Sequence, residues 1–336
     1  MNQAQLCEAI SQIIQGYADD RYGVYDAAHV NRWIEQFDDN ERQLVLEETL
    51  HIFQNQYITR DKFTELVSTV IDFDKIHNGT PRQFWENASL LQIQLHGNSQ
   101  NELNRIFSDV LQDKYQVGCI INNRSLNYFY IDDFIFSGNR LYNDICQWVE
   151  QENPENCKLN VVTIGYYTSG QYSTECKLKE LFAERNIALE FYRYDECILE
   201  NRLKYRNSSE RFWPTANVLD DATIQAYVAE KEPNFTYREV VPHKNKVFSS
   251  DRREQYEKIM LKYGIRIVGF PRTNSAVVKP LGYDTYRTFG FGSAVFTFRN
   301  CPNNNPLAFW WGDPEAPAQH PFSQWYPLLQ RTTYRE

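Results

Sequence analysis

Apolar residues in the first 78 positions recur at helical spacing. Val30, Trp33, Ile34 and Phe37 fall at i, i+3, i+4 and i+7 behind Asp26, a good N-cap, so the spacing predicts an amphipathic helix. Val45, Thr49, Ile52 and Phe53 form a second stripe behind Asp38 and Asp39. Phe63, Leu66, Val67, Val70 and Ile71 form a third behind Thr59. Three or four such helices predict a small all-α bundle over residues 1–80. Thr80 and Pro81 make an N-cap and N1 pair for one more short helix through Trp85.

From Leu90 the pattern alternates between strands and helices. Apolar runs predict strands over 90–95, 117–121, 127–131, 159–166 and 187–192. Between them lie helices over 99–113, after Arg140 (Leu141, Ile145, Trp148, Val149) and over 173–185, with a turn at Thr168-Ser169-Gly170. Ser99 with Glu102 reads as a capping box. This alternation predicts an α/β fold with a doubly wound, mainly parallel sheet over residues 81–336. Its C-terminal extension is irregular, with loops and short helices over 200–250, a helix over 251–263 and a strand over 265–270.

Composition narrows the class. The chain has 336 residues, 42% of them hydrophobic, which is enough for a substantial core, and its 15% aromatic content is high. The net charge of −9 argues against coating nucleic acid by bulk electrostatics. Residues 1–80 hold six basic and fourteen acidic residues against 29 and 30 in residues 81–336, so the acidity reads as a property of the head. A head of that charge points to a protein partner rather than to direct nucleic-acid binding. Seven scattered cysteines without a C-x-x-C pair, no secretory leader pattern and no run of about 18 apolar residues lead to the expectation of a cytoplasmic protein with reduced thiols and no membrane span. The six histidines show no zinc spacing, and no Walker loop, G-x-S-x-G elbow or G-x-G-x-x-G follows a strand.

The strongest local signal is the strand over 127–131 running into Asp132-Asp133, three apolar residues, and Ser137-Gly138-Asn139-Arg140 at a helix start. Ligands of open parallel sheets bind beyond the carboxyl ends of strands, where helix starts offer N–H groups to anions. Gly138 allows close approach of a phosphate, and Ser137 and Asn139 add hydrogen bonds. Two acids beside a phosphate site make sense facing ribose hydroxyls or a bridging divalent cation, so Asp132 and Asp133 are the candidate Mg2+ contacts. The combination describes a pocket for a ribose phosphate or nucleotide. No catalytic residue is assigned.

This segment resembles the 5-phosphoribosyl-1-pyrophosphate motif of phosphoribosyltransferases. Asp132, Asp133, Ser137 and Gly138 match it, and the resemblance implies ribose contacts from the acids and a 5-phosphate cradle at 137–140. Arg140 stands where the motif has a hydroxyl. The turn before the 99–113 helix sits where a pyrophosphate loop would be, which adds Gly97, Asn98 and Ser99 as candidates. A broader resemblance rests on 130–140, Gly165 to Gln171, Pro280-Leu281-Gly282-Tyr283, Gly290-Phe291-Gly292-Ser293 and Asn300-Cys301-Pro302-Asn303-Asn304. That order looks like the PRTase-CE family, divergent phosphoribosyltransferase-like proteins of bacterial conflict loci, some beside retron reverse transcriptases. The resemblance implies an anti-phage role, as an effector or as a regulated partner in a complex that contains a reverse transcriptase. Two other readings stand beside it: a non-catalytic assembly or sensor protein with an idle pocket, and a nucleosidase-type enzyme that cleaves an N-glycosidic bond.

Overall fold

The computed structural model describes residues 1–95, 99–231, 235–240, 245–249, 251–272, 275–284 and 288–331. The chain forms two compact units, one of Thr59–Leu199 and one of Met1–Ile58 with Glu200–Glu336. This division differs from the expected boundary at residue 80. The first three helices close their core with C-terminal segments, and the helix behind Thr59 belongs to the α/β unit.

The discontinuous unit opens with α1 (Gln3–Ile14), α2 (Ala27–Ile34) and α3 (Asp39–Gln56). Asp26 caps α2 by accepting from the His29 amide at 2.8 Å, as its spacing predicts. The first 78 residues are not purely helical. After α3 a short strand, β1 (Tyr57–Ile58), pairs in parallel with residues 296–297.

The α/β unit begins with α4 (Arg60–Ile71), capped by Thr59, then α5 (Asp74–His77) and α6 (Pro81–Trp85). There follow β2 (Ser89–Leu90), α7 (Ser99–Tyr115), β3 (Ile120–Ile121), β4 (Asn127–Ile131), β5 (Phe134–Ile135) and α8 (Asn139–Glu152). The unit closes with β6 (Cys157–Val162), β7 (Gly165–Tyr167), α9 (Thr168–Phe182), β8 (Ile187–Tyr192) and β9 (Ile198–Leu199). Five strands form a parallel sheet in the order β3-β2-β4-β6-β8, and β5-β7-β9 form a second parallel sheet. Alternation along β4 sorts its side chains to two faces. Tyr128 meets Trp148 of α8 at 4.9 Å, whereas Phe129 meets Trp85 at 4.8 Å and Phe107 of α7 at 6.1 Å. Helices therefore cover both faces, which is the doubly wound arrangement expected.

Several predicted bounds move. The ladder at β2 covers only Ser89–Leu90 because side-chain amides take over beyond it. The Gln92 amide donates to Asn122 Oδ1 at 2.7 Å, and the Gln100 Oε1 accepts from the Ile93 and Gln94 amides. The strand over 159–166 is two strands, β6 and β7. Thr168-Ser169-Gly170 is no turn but the start of α9.

Residues 200–331 return to the first unit with α10 (Ala222–Lys231), α11 (Arg253–Val268), β10 (Phe296–Thr297) and α12 (Leu307–Trp310). The strand expected over 265–270 is helix up to Val268. Met260, Tyr263, Gly264 and Ile267 bury one face at i, i+3, i+4 and i+7, and that period outweighs the β-branched composition. Aromatic side chains join the two chain segments of this unit. Trp33 and Trp325 Nε1 both donate to the Ala308 carbonyl, at 2.8 and 3.0 Å, and the Tyr17 hydroxyl donates to the Gln330 carbonyl at 3.0 Å. Charge joins them too. Lys262 of α11 bonds Asp38 at 3.0 Å and Glu41 at 2.6 Å, and Arg252 pairs with Glu47. The acidity of the N-terminal helices thus has basic partners inside its own unit. Residues 59–199 hold thirteen basic and twenty acidic residues, so the α/β unit carries −7 and the acidity is not confined to the head.

The sharpest electrostatic feature of the discontinuous unit is Glu257, fully buried on α11. It is held by Arg238 at 2.6 Å, Arg253 at 2.9 Å and the Trp213 amide at 2.9 Å. Burial pushes its carboxyl up, but the two guanidiniums outweigh that and hold it below the usual carboxylate range. Glu257→Ala, which strands two buried cations, is expected to cost about 3–5 kcal/mol in urea denaturation. In the wild type this contribution is present above the ordinary carboxylate range and is lost as pH falls through the depressed value.

Candidate functional site

Numbered within the five-stranded sheet alone, the strand order is 2-1-3-4-5, and it reverses between β2 and β4. Such a switch point opens a crevice at the carboxyl ends of the two strands, where ligands of open α/β sheets bind. Residues 91–95 leave β2 there, and residues 132–138 leave β4. The sequence-predicted cluster that starts at Asp132 therefore follows a strand of this switch point. Gly97 and Asn98 lie outside the described residues. Ser99 opens α7, and its hydroxyl donates to Gln94 Oε1 at 2.9 Å.

Asp132 and Asp133 occupy the break between β4 and β5, and both are buried, at 5% and 8% exposure. The backbone ladder continues through the break. Asp132 N donates to the Val162 carbonyl and Ile164 N to the Asp133 carbonyl, each at 3.0 Å. The carboxylates bond inward. Asp132 Oδ1 accepts from the Asp133 amide at 2.9 Å, and Asp133 Oδ1 accepts from the Phe134 amide at 2.8 Å. Arg140 Nη2 donates to Asp132 Oδ2, closing an ion pair across the turn. The Arg140 side chain remains 44% exposed.

The turn itself is set by glycine. Gly138 caps α8 with φ +76, a left-handed conformation that disfavours a side chain. A Cβ there would stand 1.9 Å from Thr174 Oγ1 and 2.7 Å from the Gly170 carbonyl. A Cβ on Gly170 would stand 2.0 Å from the Phe136 carbonyl. The starts of α8 and α9 thus touch through two glycines, and this contact explains Gly138 without a ligand. Ser137 and Asn139 are exposed, with the Asn139 amide 3.4 Å from Ser137 Oγ.

One residue that the sequence reading passed over completes the cluster. Asp144 of α8, 1% exposed, accepts from the Tyr130 hydroxyl at 2.8 Å and from the Leu95 amide at 3.2 Å. It ties the segment after β2 to α8. Its signal was its place four residues after Arg140, one helical turn on.

The residues present do not offer an open divalent-cation site in this arrangement. Both oxygens of Asp132 are engaged, and one engages a guanidinium. Among the described residues, no group of three or more His, Cys, Asp or Glu side chains is placed to hold a metal.

A doubly wound parallel sheet, with an acid pair and a glycine turn at the carboxyl end of a central strand, defines a phosphoribosyltransferase-like α/β protein. The PRTase-CE family model matches residues 30–331 of the 336, and the chain belongs to that family. No curated protein matches the sequence. No helix among the described residues is long and apolar enough to cross a membrane.

Two expectations follow from this geometry. Gly138→Ala should lower stability by about 1–3 kcal/mol through overpacking and φ strain, and Thr174→Ala should not restore it because the Gly170 carbonyl remains in the way. Burial pushes the Asp132 carboxyl up to about 6, with Arg140 pulling against the rise and Asp133 adding to it. The folded value lies above the unfolded one of about 3.9, so this group's contribution is full below the unfolded value and is lost as pH rises through the folded one. Denaturation curves between about pH 4 and 7 should show that slope in the wild type and lack it in Asp132→Asn.

Proposed function

We propose that the α/β unit binds a phosphorylated ribose, free or within a nucleotide, at the β2/β4 switch point. The observation that carries this reading is Arg140, a cation on the first turn of α8 whose side chain is 44% exposed, beside the exposed Ser137 and Asn139. A guanidinium fork grips phosphate more strongly than the hydroxyl it replaces. The helix start adds the positive end of its backbone dipoles on the same side. In a unit of charge −7, an anion needs such a local cation.

Family membership supports a phosphoribosyltransferase-like protein, and the resemblance to conflict-locus members supports a part in bacterial anti-phage defence, with a reverse transcriptase-containing complex as the partner class. The ion pair favours a second reading, in which ligand is bound and sensed but not turned over. An Asp132 held by Arg140 is not presented to a ribose.

Calorimetry with 5-phosphoribosyl-1-pyrophosphate, ribose 5-phosphate and AMP tests the reading. Arg140→Ala should weaken binding by about tenfold or more, the worth of one charge-assisted hydrogen bond. No binding by the wild type, or equal binding by Arg140→Ala, would sink it. Recovering the ligand unchanged after long incubation supports the sensing role, whereas release of pyrophosphate or base supports an enzyme.

A further inference from the structure

Two acids beside a phosphate site make sense facing ribose hydroxyls or a bridging divalent cation, and the chain departs at Arg140 from the motif that residues 132–140 resemble. We infer that the Arg140 guanidinium takes the place of that cation, so the site accepts a ribose or nucleoside monophosphate without a divalent metal. The inference rests on the phosphate reading above and deepens it.

Three observations carry it. At least three of the four carboxylate oxygens of Asp132 and Asp133 are committed, to Arg140 and to the Asp133 and Phe134 amides. A Mg2+ ion needs octahedral oxygen ligands at about 2.1 Å and would have to strip those bonds. It would also stand against a guanidinium on the same carboxylate, where like charges repel. Finally, residues 130–144 hold three acids and a single base, Arg140, so this segment supplies one cation for one phosphate. A pyrophosphate group brings further negative charge that the segment has no second cation to meet.

The geometry also says how one arginine serves both ends. Its Nη2 stays on Asp132, which fixes the plane of the fork, while the side chain as a whole keeps 44% of its surface exposed. Asp132 is then a positioning residue for Arg140 rather than a ribose contact. A phosphate can dock on the outer donors without the ion pair breaking.

The metal alone is the first probe. Mn2+ added to the full-length wild type, followed by water-proton relaxation, should reveal no site that Asp132→Asn removes, whereas Arg140→Thr should gain one. Titration of AMP and ribose 5-phosphate in EDTA and in Mg2+ is the second. Wild-type affinity should agree within about twofold between the two conditions, and Arg140→Thr should bind at least about tenfold more weakly in EDTA than in Mg2+. Wild-type binding that collapses tenfold in EDTA, or a wild-type Mn2+ site lost in Asp132→Asn, overturns the inference and leaves the phosphate reading standing. Absence of binding in both conditions overturns both. The wild-type arms decide even if Arg140→Thr fails to fold, and its melting curve shows whether it does.

Discussion

A buried carboxylate that keeps its charge needs partners to offset its lost hydration, and Asp132 is buried where β4 gives way to β5. Much of the local architecture follows from meeting that demand. The compensating cation comes from the first turn of α8, eight residues on, so the chain must reverse tightly between strand and helix. The reversal takes Gly138 at positive φ, and it brings the start of α8 against the start of α9, where only Gly170 leaves room. Ion pair, turn and glycine contact are successive consequences of one charge placed inside.

How far this could be read from the sequence differs by element. The strands over 127–131 and 187–192 were legible to the residue, because dense β-formers ended at polar or acidic residues. The strand over 90–95 was misread for a reason of chemistry. Gln94, Gln100 and Asn122 bond the backbone with their amides, and apolar patterning carries no trace of such side-chain bonds. The helix through Val268 was misread because its β-branched residues looked like a strand when taken apart from the Met260 to Ile267 face.

The candidate site was legible as a segment but not as a geometry. Asp132, Asp133, Ser137, Gly138 and Arg140 could be picked out by type and spacing, yet nothing in the spacing said that Arg140 would bond Asp132 rather than point away. Asp144 was passed over because its partners are a tyrosine hydroxyl and a backbone amide from another loop, which its place one turn after Arg140 does not reveal. Charge counting misled as well. Dividing the chain at residue 80 assigned the acidity to a head, whereas the fold matches acidic α3 with basic α11 and leaves the α/β unit itself acidic.

The discontinuous unit imposes an order on synthesis. Trp33 donates to a carbonyl 275 residues further along. At roughly 5–20 residues per second, that partner leaves the ribosome on the order of 15–55 s later. In that interval the continuous Thr59–Leu199 stretch is complete and can fold, while α1 to α3 hold their aromatic faces without the segments that cover them. The helices α1 to α3 are therefore made before the α/β unit and finished after it.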